Sequence, residues 1–432
     1  MIDILIFVVI LLFLVVAHEL GHFTVAKLSG VKVLEFGVGL PPKIWGFQRG
    51  DTEYTINALP IGGFVRMLGE EDPEHEQSFA RQSAAKRLAV LAAGPGVNAL
   101  LPILLLTIVF MLPQRIDVTA VTVLGVSEGA PAAAAGVRPG DIIREAGGRD
   151  VNNSTDLINA VQRRLGARTT WVIERDGRLI ETSLVPRFDP PEGQGATGIT
   201  LTDARVTVTS VAPGSPADAA GLEVGDLFLL VADARVLQEA WARESVDEAL
   251  AAAPNDPVPI SVLRDGSIVE LSVSPALGSL DGYAADVTPT KTRSEPPWTA
   301  FGSSFVQLWD ILILFKNQIS LWISGAQQIQ FSGPVGIARV TGEVADAGVG
   351  PLIALAALLS INLAIVNLLP IPALDGGRIA FVLLELARGG RRLAPDKERI
   401  ANMIGFAVLM AFIALVSIND IQRLIKGESP FG

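Results

Sequence analysis

Two histidines and a glutamate inside an apolar run are the residues of this sequence best suited to chemistry. His18, Glu19 and His22 interrupt the largely apolar stretch 4–28. Residues four apart on a helix lie on one face, so both imidazoles can point at one ion. Glu19 directly follows the first imidazole, where its carboxylate can reach a water molecule on that ion. In this H-E-x-x-H arrangement two histidines hold zinc and the glutamate serves as general base.

A catalytic zinc site takes three protein ligands and leaves one position for water, so the histidine pair needs a third ligand. The chain has no cysteine, and its one further histidine, His75, lies in a charged stretch suited to solvent. Asp375 is the strongest candidate, because it is an acid between two apolar segments and follows a Pro-x-Pro turn. An aspartate before Gly-Gly is by itself more often a turn residue. The incomplete histidine pair nevertheless favours Asp375 as a ligand.

The composition predicts a membrane protein with a soluble insert. Half of the 432 residues are hydrophobic, and the whole net charge of −11 falls within 118–290, which has 24 acidic and 13 basic residues. No segment has the basic surface of a nucleic-acid-binding protein, so no nucleic-acid partner is expected. Four apolar segments are long enough to cross a bilayer. They lie within 1–30, 87–113, 351–377 and 400–420, and the third of these ranges ends with the Asp-Gly motif that follows its span.

The soluble insert contains an internal repeat. The sequence G-A-P-A at 129–132 recurs as G-S-P-A at 214–217, an offset of 85. Arg-Asp-Gly at 175–177 recurs at 264–266, an offset of 89, which implies a small insertion in the second copy. Each Arg-Asp-Gly lies between alternating apolar runs and predicts a hairpin turn. The repeat predicts two small domains, at 118–195 and 196–290.

Two segments beside the predicted spans are less regular. Residues 31–86 are punctuated by glycine and proline and contain short alternating runs, which predicts a membrane re-entrant β region; a cytosolic hairpin is the alternative. Residues 298–330 place aromatic side chains at helical spacing, but Asp310 and Lys316 interrupt them. This pattern favours an amphipathic, interfacial helix over a true span.

These features predict a polytopic α-helical membrane protein of four transmembrane helices, with a membrane-associated β element and two inserted α+β domains. Both repeats follow a pattern of the type S-P-A-x-x-A-G-L-x-x-G-D, which resembles bacterial PDZ domains. Three further motifs resemble the site-2 protease family, so the resemblance covers nearly the whole chain. They are His18-Glu19-x-x-His22, Gly94-Pro95-x-x-Asn98 and Asn367-x-x-Pro370-x-Pro372-x-Leu374-Asp375-Gly376.

The family resemblance implies zinc bound by His18, His22 and Asp375, with Glu19 as the base. It implies that Asn367 helps to hold or unwind a substrate helix, and that peptide bonds are hydrolysed in the transmembrane segments of single-span proteins. Proteins that restrain sigma factors and remnant signal peptides are the family's usual substrates. PDZ domains bind peptides by adding a strand to a sheet edge, so peptide C-termini and membrane lipid are further expected partners.

The charge distribution predicts an orientation in the cell inner membrane. The segments between the first two spans and between the last two are short and rich in lysine and arginine, which places them in the cytoplasm. The repeats and both termini are then expected outside, with the chemistry toward the cytoplasmic side. Two alternatives are a membrane-anchored PDZ scaffold with a silent zinc site and a metal transporter. The first lacks a fourth protein ligand for a structural zinc, and the second lacks further intramembrane acids.

Overall fold

The computed structural model describes residues 2–70, 75–236, 239–288, 290–326, 333–391 and 394–426. Within the predicted segments, residues 71–74 of the β region and residues 327–330 after the amphipathic helix lie outside the described residues. The chain forms two compact units. The first unit comprises residues 1–112, 294–308 and 329–432, and the second unit comprises residues 113–293 and 309–328.

The first unit begins with two apolar helices separated by a long β-hairpin. The elements are α1 (Ile2–Leu28), β1 (Val33–Arg49), β2 (Thr52–Met67) and α2 (Ala84–Met111). After α1 the chain turns at Gly30, whose φ of 82° favours glycine. The side chain of Ser83 accepts a hydrogen bond from the first turn of α2 and so caps that helix. Within this hairpin, residues 36–38 of β1 pair both with 63–65 and with 54–56, and residues 54–56 pair also with 45–47. The short strands predicted for residues 31–86 are therefore found as four paired segments with register shifts between them.

The second unit opens with β3 (Gln114–Ile116) and the first repeat, residues 120–204. The sheet order of this repeat is β8-β7-β5-β4-β9, with β6 beside β5. The indole of Trp171 is fully buried in its core. The elements of the repeat are β4 (Ala120–Val126), α3 (Pro131–Ala134), β5 (Ile142–Ala146), β6 (Arg149–Asp150), α4 (Ser154–Arg163), β7 (Thr169–Arg175), β8 (Arg178–Leu184) and β9 (Ile199–Ala204).

The second repeat, residues 206–287, has the same sheet order, β14-β13-β11-β10-β15, with β12 beside β11. Its helix α6 has 14 residues where α4 has 10, which accounts for the predicted insertion. After it, β16 (Lys291–Arg293) pairs with β3. The elements are β10 (Val206–Val211), α5 (Pro216–Ala219), β11 (Leu227–Val231), β12 (Ala234–Arg235), α6 (Glu239–Ala252), β13 (Val258–Arg264), β14 (Ser267–Val273) and β15 (Tyr283–Val287).

The predicted boundary between the repeats, at 195/196, is wrong. Strand β9 pairs antiparallel with β4, so the first sheet is complete only at Ala204. Strand β15 completes the second sheet in the same way by pairing with β10. Each repeat therefore takes its last strand from a segment beyond its Arg-Asp-Gly hairpin. This is a long-range pairing that the spacing of the motifs does not reveal.

The repeated motifs meet within each copy. Both Arg-Asp-Gly segments form two-residue hairpin turns with positive φ at the aspartate and the glycine, as predicted. The arginine before each turn binds the aspartate of the Gly-Asp motif through two hydrogen bonds, Arg175 to Asp141 and Arg264 to Asp226. Both carboxylates are buried. Their hydrogen bonds raise the pKa of each arginine.

Five further α-helices follow in the described part of the chain, of which α8 and α10 were not predicted. They are α7 (Pro297–Ser324), α8 (Pro334–Asp346), α9 (Val349–Leu368), α10 (Asp375–Ala387) and α11 (Pro395–Lys426). Among the described residues, five helices are long and apolar enough to cross a membrane: the four predicted spans α1, α2, α9 and α11, and also α7. The prediction of four transmembrane helices is therefore not confirmed. Within α7, the buried carboxylate of Asp310 pairs with Arg149 and Arg163 of the first repeat.

Candidate metal centre

Helices α1 and α10 bring the three predicted ligands to one point. His18 and His22 are buried one turn apart on α1. Asp375 is the first residue of α10 rather than a turn residue. Its Oδ2 atom lies 3.0 Å from Nε2 of His18 and 3.3 Å from Nε2 of His22, and the two Nε2 atoms are 3.1 Å apart. The sequence-predicted set therefore comes together as three mutually adjacent ligand atoms.

The chemistry of this set fits a zinc ion. Nδ1 of His22 lies 2.8 Å from the carbonyl oxygen of Val90. Since a carbonyl can only accept, Nδ1 carries the proton, and in the neutral imidazole Nε2 presents a lone pair. This Nε2 atom lies 3.3 Å from Oδ2 of Asp375, an arrangement that either a proton or a metal cation between the two atoms stabilises. Three ligand atoms about 3 Å apart also match one face of a zinc tetrahedron, whose edge is roughly 3.3 Å for a Zn–N distance of about 2.0 Å.

Helix α2 supplies two contacts that the predicted ligand set did not include. A Cβ atom on Gly94 would lie 2.3 Å from Nε2 of His22 and 2.7 Å from Nε2 of His18, so this position requires glycine. The buried amide of Asn98 has its nitrogen 3.4 Å from Nδ1 of His18. With a metal on Nε2, that Nδ1 carries a proton, and a 180° turn of the amide presents its oxygen as the acceptor. The oxygen of Asn98 otherwise has no partner among the described residues. The G-P-x-x-N motif was the signal for both residues.

A cavity of about 190 Å³ adjoins the three ligand atoms. Glu19 lines it beside the ligands, and residues Gly63, Phe64, Val65 and Met67 of β2 line it from the hairpin. Strand β2 passes close to the glutamate, since a Cβ on Gly63 would lie 3.2 Å from Cγ of Glu19. The cavity thus places a carboxylate base, the ligand set and an extended strand around one space.

Two other predicted residues lie elsewhere. Asn367 is partly buried near the end of α9 and is not among the described residues that line the cavity. His75 is exposed in the loop before α2, as expected of a residue that is not a ligand. Helix α9 ends just before Pro370, because the residue preceding a proline is driven into extended backbone. A Cβ on Gly376 would lie 2.2 Å from the carbonyl oxygen of Leu369, so glycine lets the start of α10 pack against the end of α9.

Two ion pairs fasten α10 to its neighbours. Arg87 of α2 donates two hydrogen bonds to Glu385, at 2.7 and 2.8 Å, and both side chains are largely buried. Arg378 donates to Glu70, which follows β2, at 2.7 Å. Only the second pair lies at the cavity, because Arg378 is one of its lining residues. The helix that carries Asp375 is therefore anchored both to α2 and to the end of the hairpin.

Comparisons with known proteins identify the family of this chain. The sequence profile of peptidase family M50 matches residues 6–412. The zinc metalloprotease RasP of Geobacillus kaustophilus is 32% identical over 96% of this chain and 97% of its own length. The regulator of sigma E protease of Salmonella typhi is 29% identical over 97% of this chain and 98% of its own length. A solved PDZ domain of an SdrC-like protein from Listeria monocytogenes matches 20% of this chain and 93% of its own, with 21% identity and a TM-score of 0.18. The profile match spans most of the chain and confirms the family resemblance drawn from the motifs: this chain belongs to peptidase family M50.

Proposed function

We propose that this chain is an intramembrane zinc metalloprotease, with His18, His22 and Asp375 as the zinc ligands and Glu19 as the general base. The observation that carries the proposal is the convergence of two imidazole nitrogens and a carboxylate oxygen on one point, beside a glutamate in a cavity. The relative named zinc metalloprotease RasP, which aligns along nearly the whole chain, supports the same activity.

Each residue around the cavity has a separate role in the hydrolysis. When bound, zinc polarises the scissile carbonyl and lowers the pKa of a water molecule. Glu19 accepts a proton from the attacking water and passes it to the leaving nitrogen as the C–N bond breaks. Asn98 holds the imidazole of His18 in the tautomer that leaves Nε2 available. Asn367, near the end of α9, is proposed to hold the substrate helix while it unwinds, on the strength of its motif.

The substrates are proposed to be single-span membrane proteins. Strand β2 beside Glu19 can lie along an unwound substrate segment, which supports a membrane re-entrant position for the hairpin. The relative named regulator of sigma E protease suggests proteins that restrain sigma factors as one class, and remnant signal peptides are another. The two repeats share one strand order and the PDZ-like sequence pattern, so each is proposed to be a PDZ domain that takes peptide C-termini.

The proposed topology has four spans, with the repeats outside the inner membrane and the metal centre toward the cytoplasm. Helix α7 is proposed to lie outside the hydrocarbon region, although it is long enough to cross it. Its Asp310 pairs with Arg149 and Arg163 of the first repeat, and a charged cluster shared with a polar domain is incompatible with the bilayer centre. Asn317 donates to the carbonyl of Gln162 at the end of α4, which supports the same position.

The test compares purified wild type with Glu19→Gln, and with Glu76→Gln as a matched exposed control. We expect one zinc per chain in all three proteins. Cleavage of a single-span substrate should fall about 10²- to 10⁴-fold in Glu19→Gln alone, because only the base is lost. Wild-type cleavage by Glu19→Gln would contradict its role as the base. A wild type without zinc would contradict the metal centre.

A further inference from the structure

Hydrolysis of a helical substrate creates a shortage of hydrogen-bond donors in the cavity. A substrate helix must unwind before its carbonyl can be attacked, and each carbonyl that is released loses its intrahelical N–H partner. An unmatched carbonyl is costly in a site that excludes most water. The protein must therefore supply N–H or O–H groups of its own.

Most side chains around the cavity cannot donate. Glu19 and Asp375 offer carboxylates, which only accept when ionised. Nδ1 of His22 already donates to Val90, and Nε2 of each histidine faces Asp375. Five more lining residues have no N–H or O–H in their side chains: Gly63, Phe64, Val65, Met67 and Leu91. Among the lining side chains in the described part of the chain, this leaves the guanidinium of Arg378 as the source of uncommitted donors.

The guanidinium of Arg378 is held in one orientation at the cavity wall. Arg378 follows Asp375 by three residues on α10, so both side chains project from one face of the helix. Its Nη2 donates to Oε2 of Glu70 at 2.7 Å, and its Cζ lies 5.7 Å from the ring centroid of Phe79. The side chain is 28% exposed. No other side-chain hydrogen bond joins the guanidinium to a described residue, so its remaining N–H groups are available to a molecule in the cavity.

We propose that Arg378 is a substrate-binding residue, which donates hydrogen bonds to main-chain carbonyl oxygens of the unwound substrate beside the scissile bond. This inference rests on the proposed function and deepens it. Glu70 and Phe79 fix the guanidinium before the substrate arrives, so binding costs little further side-chain entropy. The planar fork of donors can serve two neighbouring carbonyls at once, which a lysine ammonium does less well.

The test measures cleavage and binding separately. Cleavage of one single-span substrate is compared among the wild type, Arg378→Gln, Arg378→Lys and Glu70→Gln. Binding of the same substrate is measured in a Glu19→Gln background, where the substrate is not cleaved. We expect Arg378→Gln to lower kcat/KM on the order of 10- to 100-fold and to weaken binding, with zinc content unchanged. The kcat/KM of Arg378→Lys should lie between those of the wild type and Arg378→Gln. Glu70→Gln keeps the guanidinium and should lose less than about fivefold.

Arg388→Gln is the matched control, because it removes an exposed guanidinium from the far end of the same helix; its kcat/KM should stay near wild type. The proposal is wrong if Arg378→Gln cleaves and binds like wild type. It is also wrong if Glu70→Gln, Arg378→Gln and the variant that combines both substitutions lose the same activity. The Arg378–Glu70 ion pair would then act only by holding β2 in place. A zinc-loaded wild type no faster than Glu19→Gln would contradict the proposed function instead, and binding in the Glu19→Gln background would still decide the role of Arg378.

Discussion

Both units of the molecule shield aspartates from solvent, fully for Asp141 and Asp226 and largely for Asp375, but they provide different surroundings for the charge. In the second unit, Asp141 and Asp226 each accept two hydrogen bonds from an arginine of the same chain. In the first unit, Asp375 faces the Nε2 atoms of two imidazoles, and Nδ1 of His22 donates to a carbonyl on the other side of its ring. The repeats complete their buried ion pairs from their own sequence. We propose that a metal cation completes the cluster in the first unit.

This difference separates structural acids from functional ones. Burying a carboxylate is costly unless a cation or several donors compensate it. The Asp–Arg pairs of the repeats provide that compensation with geometry suited to a guanidinium fork. The cluster at Asp375 brings three potential ligand atoms to within about 3 Å of one another, a geometry that suits a metal ion. An acid that faces imidazole nitrogens instead of a guanidinium is therefore the stronger indication of a metal centre.

The largest effect is expected from Asp375→Asn, which keeps the shape of the side chain and removes its charge. Zinc affinity should fall by more than about 100-fold, since even residues that only orient a ligand contribute 10- to 100-fold. Zinc content after dialysis against a weak chelator measures the loss. Asp141→Asn provides the comparison, because it also neutralises a buried aspartate but should keep its zinc. Equal zinc in wild type and Asp375→Asn would remove Asp375 from the ligand set.

A smaller loss is expected from Gly94→Ala, which leaves every ligand in place. The added methyl would lie 2.3 Å from Nε2 of His22, so α2 must shift away from the ligand atoms or the imidazole must turn. Zinc affinity should fall on the order of 10- to 100-fold, with a parallel loss of cleavage.

Gly96→Ala controls for the change of helix propensity, because a Cβ at Gly96 meets no atom within 4 Å. Alanine is the better helix former, so this variant should bind zinc as the wild type does and have a slightly higher free energy of unfolding. If both alanines lowered zinc affinity alike, the effect would come from α2 as a whole and not from the contact with the imidazoles.

The metal centre could be predicted further from the sequence than the fold that carries it. Zinc ligands need fixed residue types, so His18 and His22 limited the third ligand to very few candidates, and Asp375 meets them in the structure. Helix α10 was missed because its first residues, Asp-Gly-Gly, are typical of a turn. The two glycines instead permit close contact between backbones. That contact depends on the end of α9, which local sequence does not report.

Strand pairing in the repeats was predictable only where it is local. The two Arg-Asp-Gly turns join adjacent strands, and both formed as expected. Strands β9 and β15 pair with strands much earlier in the chain, so the predicted boundary cut the first sheet. The Arg175–Asp141 pair also went unpredicted, although both residues belong to repeated motifs. Recurrence of an arginine and an aspartate in both copies was the signal that could have identified the pair.

The smallest effect on catalysis, and the clearest on stability, is expected from Asp141→Asn and Asp226→Asn. Each substitution leaves a partly buried guanidinium without its carboxylate, at a cost of roughly 2–4 kcal/mol to the repeat concerned. The cost should be lower for Asp226→Asn, because Glu223 remains 2.7 Å from Nη1 of Arg264 and can take over part of the pairing. Arg175 has only the carbonyl of Gly136 as a further acceptor among the described side-chain hydrogen bonds.

Urea-dependent proteolysis of the intact protein measures this difference between the repeats. The raised pKa of each arginine contributes stability that is present at every pH below the ordinary arginine value and is lost only above it, so neutral pH is suitable. We expect the urea midpoint of the repeat region to fall further for Asp141→Asn than for Asp226→Asn, with zinc content unchanged in both. Equal midpoints would mean that Glu223, which is largely exposed, contributes nothing to the second pair. Loss of zinc in either variant would contradict the separation between the buried acids of the repeats and those of the metal centre.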